Sequence, residues 1–373
     1  MNDLILGIIF IENSEEKLLI QAQAFLKRLD ELHLLTYIDS GIQRGDDDVP
    51  QYFFRLQQKW ASEWAPAFNT FNLSKHLHLD PDQTDDLERE ILIALLVSPI
   101  PWVYDSFEAL ASCIRVRQEI VVASKRTVLD FKTSEAERPN DCWVYDEKRG
   151  FTLIPGTSLI DALIKATQPE VSGTHFSFSC YRATEYIILL SIAKEASRHN
   201  QSLFNQLQSQ WETKAIMSGR FHEVFLVEYG SMSKPLPIEY YIPGDRIWFR
   251  NPDDRSSNVE GYEGSWVFYL GGGLFPNFWK ASRPYSLQEK CLEIYHWRHG
   301  VQMKANGELV MDENLVSKHV TESRNNPEEL EAIMNQMQRY RDPKGVYEGG
   351  GCMDTTRESP RTVLPSEQMV QLP

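Results

Sequence analysis

The 373-residue chain predicts an α+β fold, and three observations carry that expectation. A long apolar helix is expected from Tyr181 to about Ser197. After it come short alternating strands at Val224 to Tyr229, Arg246 to Phe249 and Ser265 to Leu270, separated by Pro-, Gly- and Asp-rich turns. A helix laid on an antiparallel sheet buries the apolar side of both. Finally, 42 % hydrophobic residues, with 9 Trp, 15 Tyr and 18 Phe, supply a core and exclude wholesale disorder.

Residues 1–98 predict a helical N-terminal region. Leu18, Ala22, Phe25, Leu29 and Leu32 recur at steps of three and four behind Asn13 and Ser14. The polar stretch Asp39 to Pro50 interrupts the pattern. It resumes with Phe53, Trp60 and Trp64, then with Leu87, Ile91 and Leu95 behind Thr84 as a cap, and Pro99 and Pro101 end it. An amphipathic helix follows over about 106–127, apolar at Leu110, Ile114, Ile120 and Val121, with Arg115, Arg117, Lys125 and Arg126 outward. Cys142 to Tyr145 and Phe151 to Ile154 read as a hairpin, Ser158 to Thr167 as a short helix, and Phe176 to Phe178 as strand-like alternation.

Residues 285–341 form an expected C-terminal extension. Asn306-Gly307 sits between Val301 and Met311 as a hairpin turn, and Asn326-Pro327 opens a helix carrying Leu330, Ile333, Met334 and Met337. Residues 342–373, rich in Gly, Pro, Ser and Thr, are expected to be a disordered tail.

The 53 acidic and 38 basic side chains give a formal charge of −15, which opposes binding to nucleic-acid phosphates or anionic lipid. No apolar run reaches the roughly 18 residues of a membrane span; Ile91 to Val103 is cut by Ser98, Pro99 and Pro101. The first residues lack a basic signal-peptide region. Five widely spaced cysteines without a CxxC predict free thiols, so the expected location is cytoplasmic.

Cys180 is the leading candidate for chemistry. The segment His175-Phe176-Ser177-Phe178-Ser179-Cys180 leads into the long helix, placing the thiol where free backbone N–H groups and the helix dipole favour thiolate. The same N–H groups can hold the oxyanion of an attacked amide. The competing reading is a small apolar Cys buried between strand and helix. His175, His222 and Glu185 are weaker candidates. His296 and His299 have the i, i+3 spacing of a metal pair, without a third ligand evident, and Gly271-Gly272-Gly273 lacks the spacing of a phosphate loop.

Further on, Pro243-Gly244-Asp245 turns into Arg246-Ile247-Trp248-Phe249, and a loop leads to a strand ending in Tyr269-Leu270-Gly271. This resembles papain-like cysteine peptidases and amidases of the NlpC/P60 type. Tyr104-Asp105-Ser106-Phe107-Glu108-Ala109-Leu110, the stretch ending at Ala123, the Trp143 hairpin, Phe178-Ser179-Cys180, Gly244-Asp245, Phe249-Arg250-Asn251-Pro252 and Leu270-Gly271 occur in one order. That ordered set is similar to the bacterial spore-coat protein-glutamine gamma-glutamyltransferases, calcium-independent transglutaminases on an NlpC/P60-like core.

The resemblance covers about Pro99 to Phe278 and implies a catalytic core over residues 99–284, with Cys180 as nucleophile. The family's Glu in the Tyr-Leu-Gly strand falls on Ser265 here, which cannot act as the base at neutral pH. Glu263 lies two residues earlier; i and i−2 on a strand share a face, so a slip or bulge would bring it to the same space, where it is the expected proton shuttle, and the competing reading is a solvated loop carboxylate. The family's downstream His falls at Asn277 or Phe278, so Asn277 is a possible orienting group or oxyanion donor and also an ordinary turn residue after Pro276.

Trp248, Trp266 and Phe278 would wall the site or belong to the core. The implied activity is transfer of a protein Gln acyl group to a Lys amine, with proteins bearing Gln and Lys as partners and neither cofactor nor metal. Glutamine deamidation, NlpC/P60-type amide hydrolysis and a catalytically degenerate interaction module are the alternatives.

Overall fold

The computed structural model describes residues 4–45, 48–131, 136–216, 219–279, 283–343, 345, 349–366 and 369–372. Mixed α and β structure runs through the described residues. The N-terminal part comprises β1 (Ile8–Ile11), α1 (Glu15–Glu31), β2 (Ile38–Arg44), β3 (Pro50–Leu56), α2 (Gln58–Trp64), α3 (Leu73–Leu77), α4 (Thr84–Leu96), β4 (Trp102–Tyr104) and α5 (Phe107–Arg126). The expectation of a purely helical region over 1–98 is therefore corrected. A four-stranded sheet of order β2-β3-β1-β4 lies there, with β1 antiparallel to β3 and parallel to β4.

The first half of the polar stretch that interrupts the helical pattern, Asp39 to Arg44, lies in β2, an edge strand whose residues are all exposed or half-buried. An edge strand without a buried face carries no apolar alternation to read. Phe53 belongs to β3, while Trp60 and Trp64 do belong to a helix, α2.

The middle of the chain contains β5 (Trp143–Asp146), β6 (Gly150–Leu153), α6 (Leu159–Thr167), α7 (Pro169–Ser172), α8 (Cys180–His199), α9 (Gln201–Thr213), α10 (Arg220–Phe225), β7 (Leu226–Gly230), β8 (Arg246–Arg250), α11 (Asp254–Ser257) and β9 (Gly264–Phe268). Helix α8 packs on α5, α6 and β9, and residues 183–193 are almost all buried. Ser158 caps α6 and Ser106 caps α5, each accepting a backbone N–H three residues on. Phe176 to Phe178 forms no strand of its own; Ser177 makes a single parallel bridge to Asp130.

The remainder is β10 (Leu274–Phe275), β11 (Tyr285–Ser286), α12 (Leu287–Gly300), β12 (Val301–Met303), β13 (Leu309–Met311), α13 (Glu313–Arg324), α14 (Pro327–Met337) and β14 (Thr356–Pro360). The expected Asn306-Gly307 hairpin and the Asn326 cap are both present.

The second large sheet has the order β7-β14-β8-β9. Its β14 comes from the segment expected to be a disordered tail, and that expectation is corrected for the described residues. Thr356 to Pro360 pairs with β7 over five positions, and Glu358 also pairs with Arg246 of β8. Polar residues hide this strand from a composition reading. Arg357, Glu358 and Ser359 are nonetheless buried, because their partners are ion pairs and hydrogen bonds rather than apolar neighbours.

Arg117 shows the same effect. Expected outward, it is fully buried and donates to Asp245 Oδ1 (2.8 Å), the Pro243 carbonyl (3.1 Å) and Ser359 Oγ (2.7 Å). It thus ties α5 to the Pro243-Gly244-Asp245 turn and to β14. Gly244 sits at φ +87°, and a Cβ there would lie 2.9 Å from the Arg117 backbone, so the turn needs glycine twice over.

Candidate active site

The junction leading into α8 is pinned before the helix begins. Phe178 N–H donates to the Asp130 carbonyl (3.1 Å), and Asp130 N–H donates to the Phe176 carbonyl (3.1 Å). Arg138 lies over the Phe178 ring and donates to the Ser177 carbonyl and to Tyr186 Oη. Ser179 then caps α8 by accepting the Arg182 N–H at 3.2 Å, and Cys180 is the first helical residue. Its side chain is therefore presented by a rigid helix end rather than by a loop.

Cys180 is half-buried and lines a cavity of about 500 Å³. Burial pushes its thiol above the ordinary value. The backbone N–H groups of Trp266 on β9 and Tyr181 on α8, and the charges of Lys290 and Arg246, act against that rise. The Arg246 guanidinium is buried between the Tyr181 and Trp266 rings, 4.3 and 4.2 Å from their centroids, with Glu358 at 3.3 Å.

Across the cavity stands α12. It begins where β11 ends, fixed by a capping box: Glu289 N–H donates to Ser286 Oγ (3.2 Å) and Ser286 N–H to Glu289 Oε2 (3.0 Å). One face of this helix brings Lys290 and Glu293 into the cavity. Lys290 Nζ lies 3.1 Å from Glu293 Oε2 and 3.4 Å from Ser265 Oγ, and Tyr285 Oη donates to Glu293 Oε1 at 2.9 Å. The Lys290 side chain is itself buried. A thiol, an ammonium, a carboxylate and a phenol thus share one enclosed space.

The sequence profile of the protein-glutamine gamma-glutamyltransferase family matches residues 68–363. The chain belongs to that family. The match extends well beyond the core expected at 99–284, taking in α3 and α4 at one end and β14 at the other. A solved transglutaminase from Geobacillus stearothermophilus, without its C-terminal extension, is 20 % identical, over 57 % of this chain and 97 % of that one, with a TM-score of 0.39. No curated protein matches significantly.

The cavity of this family member holds three of the four residues expected from sequence: Cys180, Ser265 and Asn277. Ser265 is buried, and it accepts a hydrogen bond from Lys290. Asn277 lies between β10 and β11, accepts the Trp279 N–H at 3.3 Å and bonds Tyr285, a neighbour in the cavity wall.

Glu263 is placed differently. It is exposed, is not among the residues lining the cavity, and its charge acts on Arg250. The same-face argument fails because β9 begins only at Gly264, so alternation does not extend back to Glu263. Its carbonyl instead accepts the Asn251 N–H.

The other expectations separate cleanly. Trp248 and Trp266 stack on each other at 5.6 Å, and Phe278 is fully buried in the core; the aromatic residues lining the cavity are Phe131, Tyr262, Trp279, Tyr285 and Trp297. His222 faces Glu358 at 3.0 Å, and His175 lies 3.8 Å from Asp130 at the cavity edge. Glu185 is buried beside Arg182, and burial pushes its carboxyl up to about 7. Gly271-Gly272 wraps a buried carboxylate: Glu90 accepts from Gly272 N–H, Tyr269 Oη and Ser74 Oγ, and burial raises its pKa.

Lys290 and Glu293 were missed from sequence. Ser286-Leu287-Gln288-Glu289 announces a helix start, but nothing local says that this helix faces Cys180, some 110 residues earlier. Among the described residues no helix is long and apolar enough to cross a membrane.

Proposed function

We propose that this chain is a cysteine acyltransferase that joins a protein Gln to a primary amine, with Cys180 as nucleophile and Glu293 as the proton shuttle. The observation that carries the reading is the cavity shared by a helix-initiating thiol, two backbone N–H groups directed at its sulfur, and the Lys290–Glu293 pair.

In the first half-reaction the Cys180 sulfur attacks the γ-carboxamide carbon and its proton passes to Glu293. Glu293 returns that proton to the departing nitrogen, ammonia leaves, and a γ-glutamyl thioester forms. In the second, the entering ammonium first releases a proton to water, and the resulting neutral amine attacks the thioester carbon and gives its next proton to Glu293. The thiolate is expelled and takes that proton back, which restores the thiol. Lys290 favours the thiolate electrostatically, and the Tyr181 N–H at the α8 terminus is placed to support the developing oxyanion.

Glu293 replaces Glu263 in this reading because it lines the cavity and is held by Tyr285 and Lys290, whereas Glu263 faces outward. Among the described residues that line the cavity, Asp130 and Glu313 join Glu293, so carboxylates outnumber the Lys290 ammonium. That balance favours entry of a cationic amine such as a Lys side chain.

The test is incorporation of a fluorescent primary amine into a Gln-bearing protein, with ammonia release followed in parallel, for the wild-type chain, Cys180→Ala, Glu293→Gln and Glu263→Gln. The proposal expects incorporation by wild type and by Glu263→Gln, none by Cys180→Ala, and a loss of about 100-fold or more with Glu293→Gln. Ammonia without incorporation would make the activity a deamidation. Unaltered incorporation by Glu293→Gln would remove Glu293 from the mechanism.

A further inference from the structure

The pair His296 and His299 on α12 acquires a third imidazole in the folded chain. His319 comes from α13, and one ring nitrogen from each of the three lies within 4.8 Å of the others. The rings pack with centroids 4.8 to 5.7 Å apart. His296 Nδ1 lies 2.9 Å from His299 Nδ1. In a tetrahedral site with Zn–N of about 2.1 Å the ligand nitrogens stand about 3.4 Å apart, so both spacings are within reach of small ring rotations.

A second observation fixes the tautomer of the buried member. Ser323 Oγ donates to Glu329 Oε1 at 2.9 Å and lies 2.9 Å from His296 Nε2. A hydroxyl whose proton is given to a carboxylate can only accept from the imidazole. His296 therefore carries its proton on Nε2 and turns the bare Nδ1 lone pair toward His299. A metal-bound imidazole whose other nitrogen donates outward has this arrangement. His319 has a carboxylate partner as well, with Nδ1 3.3 Å from Glu322 Oε2.

We propose that His296, His299 and His319 bind one divalent transition-metal ion of the zinc class, with water completing the coordination. Three imidazole donors suit Zn²⁺, Co²⁺ and Ni²⁺ and are poor ligands for Ca²⁺ or Mg²⁺, which take oxygen. The ion would fasten α12 to α13. These helices also carry Lys290 and Glu293, and Glu313, Val316 and Ser317, of the cavity wall. The site is distinct from the cavity: His296, His299 and His319 do not line it. Its role is thus to hold the wall in place, and the proposal stands whether or not the chain is an acyltransferase.

The experiment uses the full chain after treatment with a chelator. Zn²⁺ is titrated calorimetrically and Co²⁺ by its visible d–d absorption, for wild type, His299→Ala, His319→Ala and, as a control, His175→Ala. The expected result is one-to-one binding by wild type and His175→Ala, with a Co²⁺ spectrum of tetrahedral intensity. Both site variants should bind about tenfold or more weakly. Zn²⁺ should also raise the melting temperature of wild type, and raise that of the two site variants by less at the same concentration.

His299 and His319 are at or near the surface, so these variants retain the fold, and their far-UV circular dichroism checks it. Absence of saturable binding tighter than about 1 mM, or equal binding by both site variants and wild type, would overturn the proposal.

Discussion

Lys290→Gln removes the cation that acts on the Cys180 thiol and leaves the burial that raises it. A neighbouring opposite charge favours the ionised thiol. Glu293 sits 3.1 Å from the same ammonium and cancels part of its field. The thiol midpoint is expected to rise, by less than loss of an uncompensated cation would give. Glu293→Gln should shift the midpoint the opposite way, because it leaves the Lys290 charge uncompensated.

The assay is the pH dependence of alkylation by iodoacetamide under native conditions. Cys113, Cys142, Cys291 and Cys352 are buried, and the Cys180→Ala chain supplies the background. The midpoint is the quantity to read. At fixed pH the loss of thiolate is partly offset by the greater nucleophilicity of a more basic sulfur, so the rate falls by less than the thiolate fraction does. A midpoint that stays put in both variants would refute the electrostatic coupling between α12 and Cys180.

Three further outcomes follow from the packing. Arg117→Met strands the buried Asp245 carboxylate and should cost about 3–5 kcal/mol in denaturant unfolding, with Arg117→Met/Asp245→Asn recovering part of it. Ending the chain at Met353 deletes β14 and leaves β7 and β8 with unpaired edges; gel filtration should show aggregates, and a monodisperse, cooperatively melting product would contradict the role given to that strand.

The hydrogen bond to Glu358 raises the pKa of His222. The stability it contributes is complete below about 6.5, the unfolded value, and is lost as pH rises through the higher folded value. His222→Gln should flatten that decline in stability measured from about pH 6 to about pH 9.

Much of the cavity's near side was legible in the sequence because its geometry is local. Ser179 and Cys180 sit at a helix start that propensity and capping dictate, and β9, which bears Ser265 and leads into Tyr269-Leu270-Gly271, forms within the strand expected from Ser265 to Leu270 apart from one added residue at its start. Ordered motifs placed these segments in a family that the profile over 68–363 shows. Where expectation failed, the missing information was a long-range partner. Arg117 reads as an outward residue and Arg357 and Glu358 as part of a disordered tail because charge ordinarily seeks water, yet each is buried. Glu263 needed a slip or bulge of the strand to reach inward; it precedes β9, which begins at Gly264, and takes the exposed position of the competing solvated-loop reading.

The sequence by itself determined where the thiol-bearing helix begins, the acidic balance of the chain and the i, i+3 spacing of His296 and His299. Those properties depend on residues a few positions apart, or on none in particular. Only the tertiary structure decided that α12 faces Cys180, that β14 joins β7 to β8, and that His319 meets the histidine pair. Each of those results rests on packing between segments far apart in the chain. No local propensity encodes it; it follows from burying the apolar sides of all these elements at once, with their polar groups still paired.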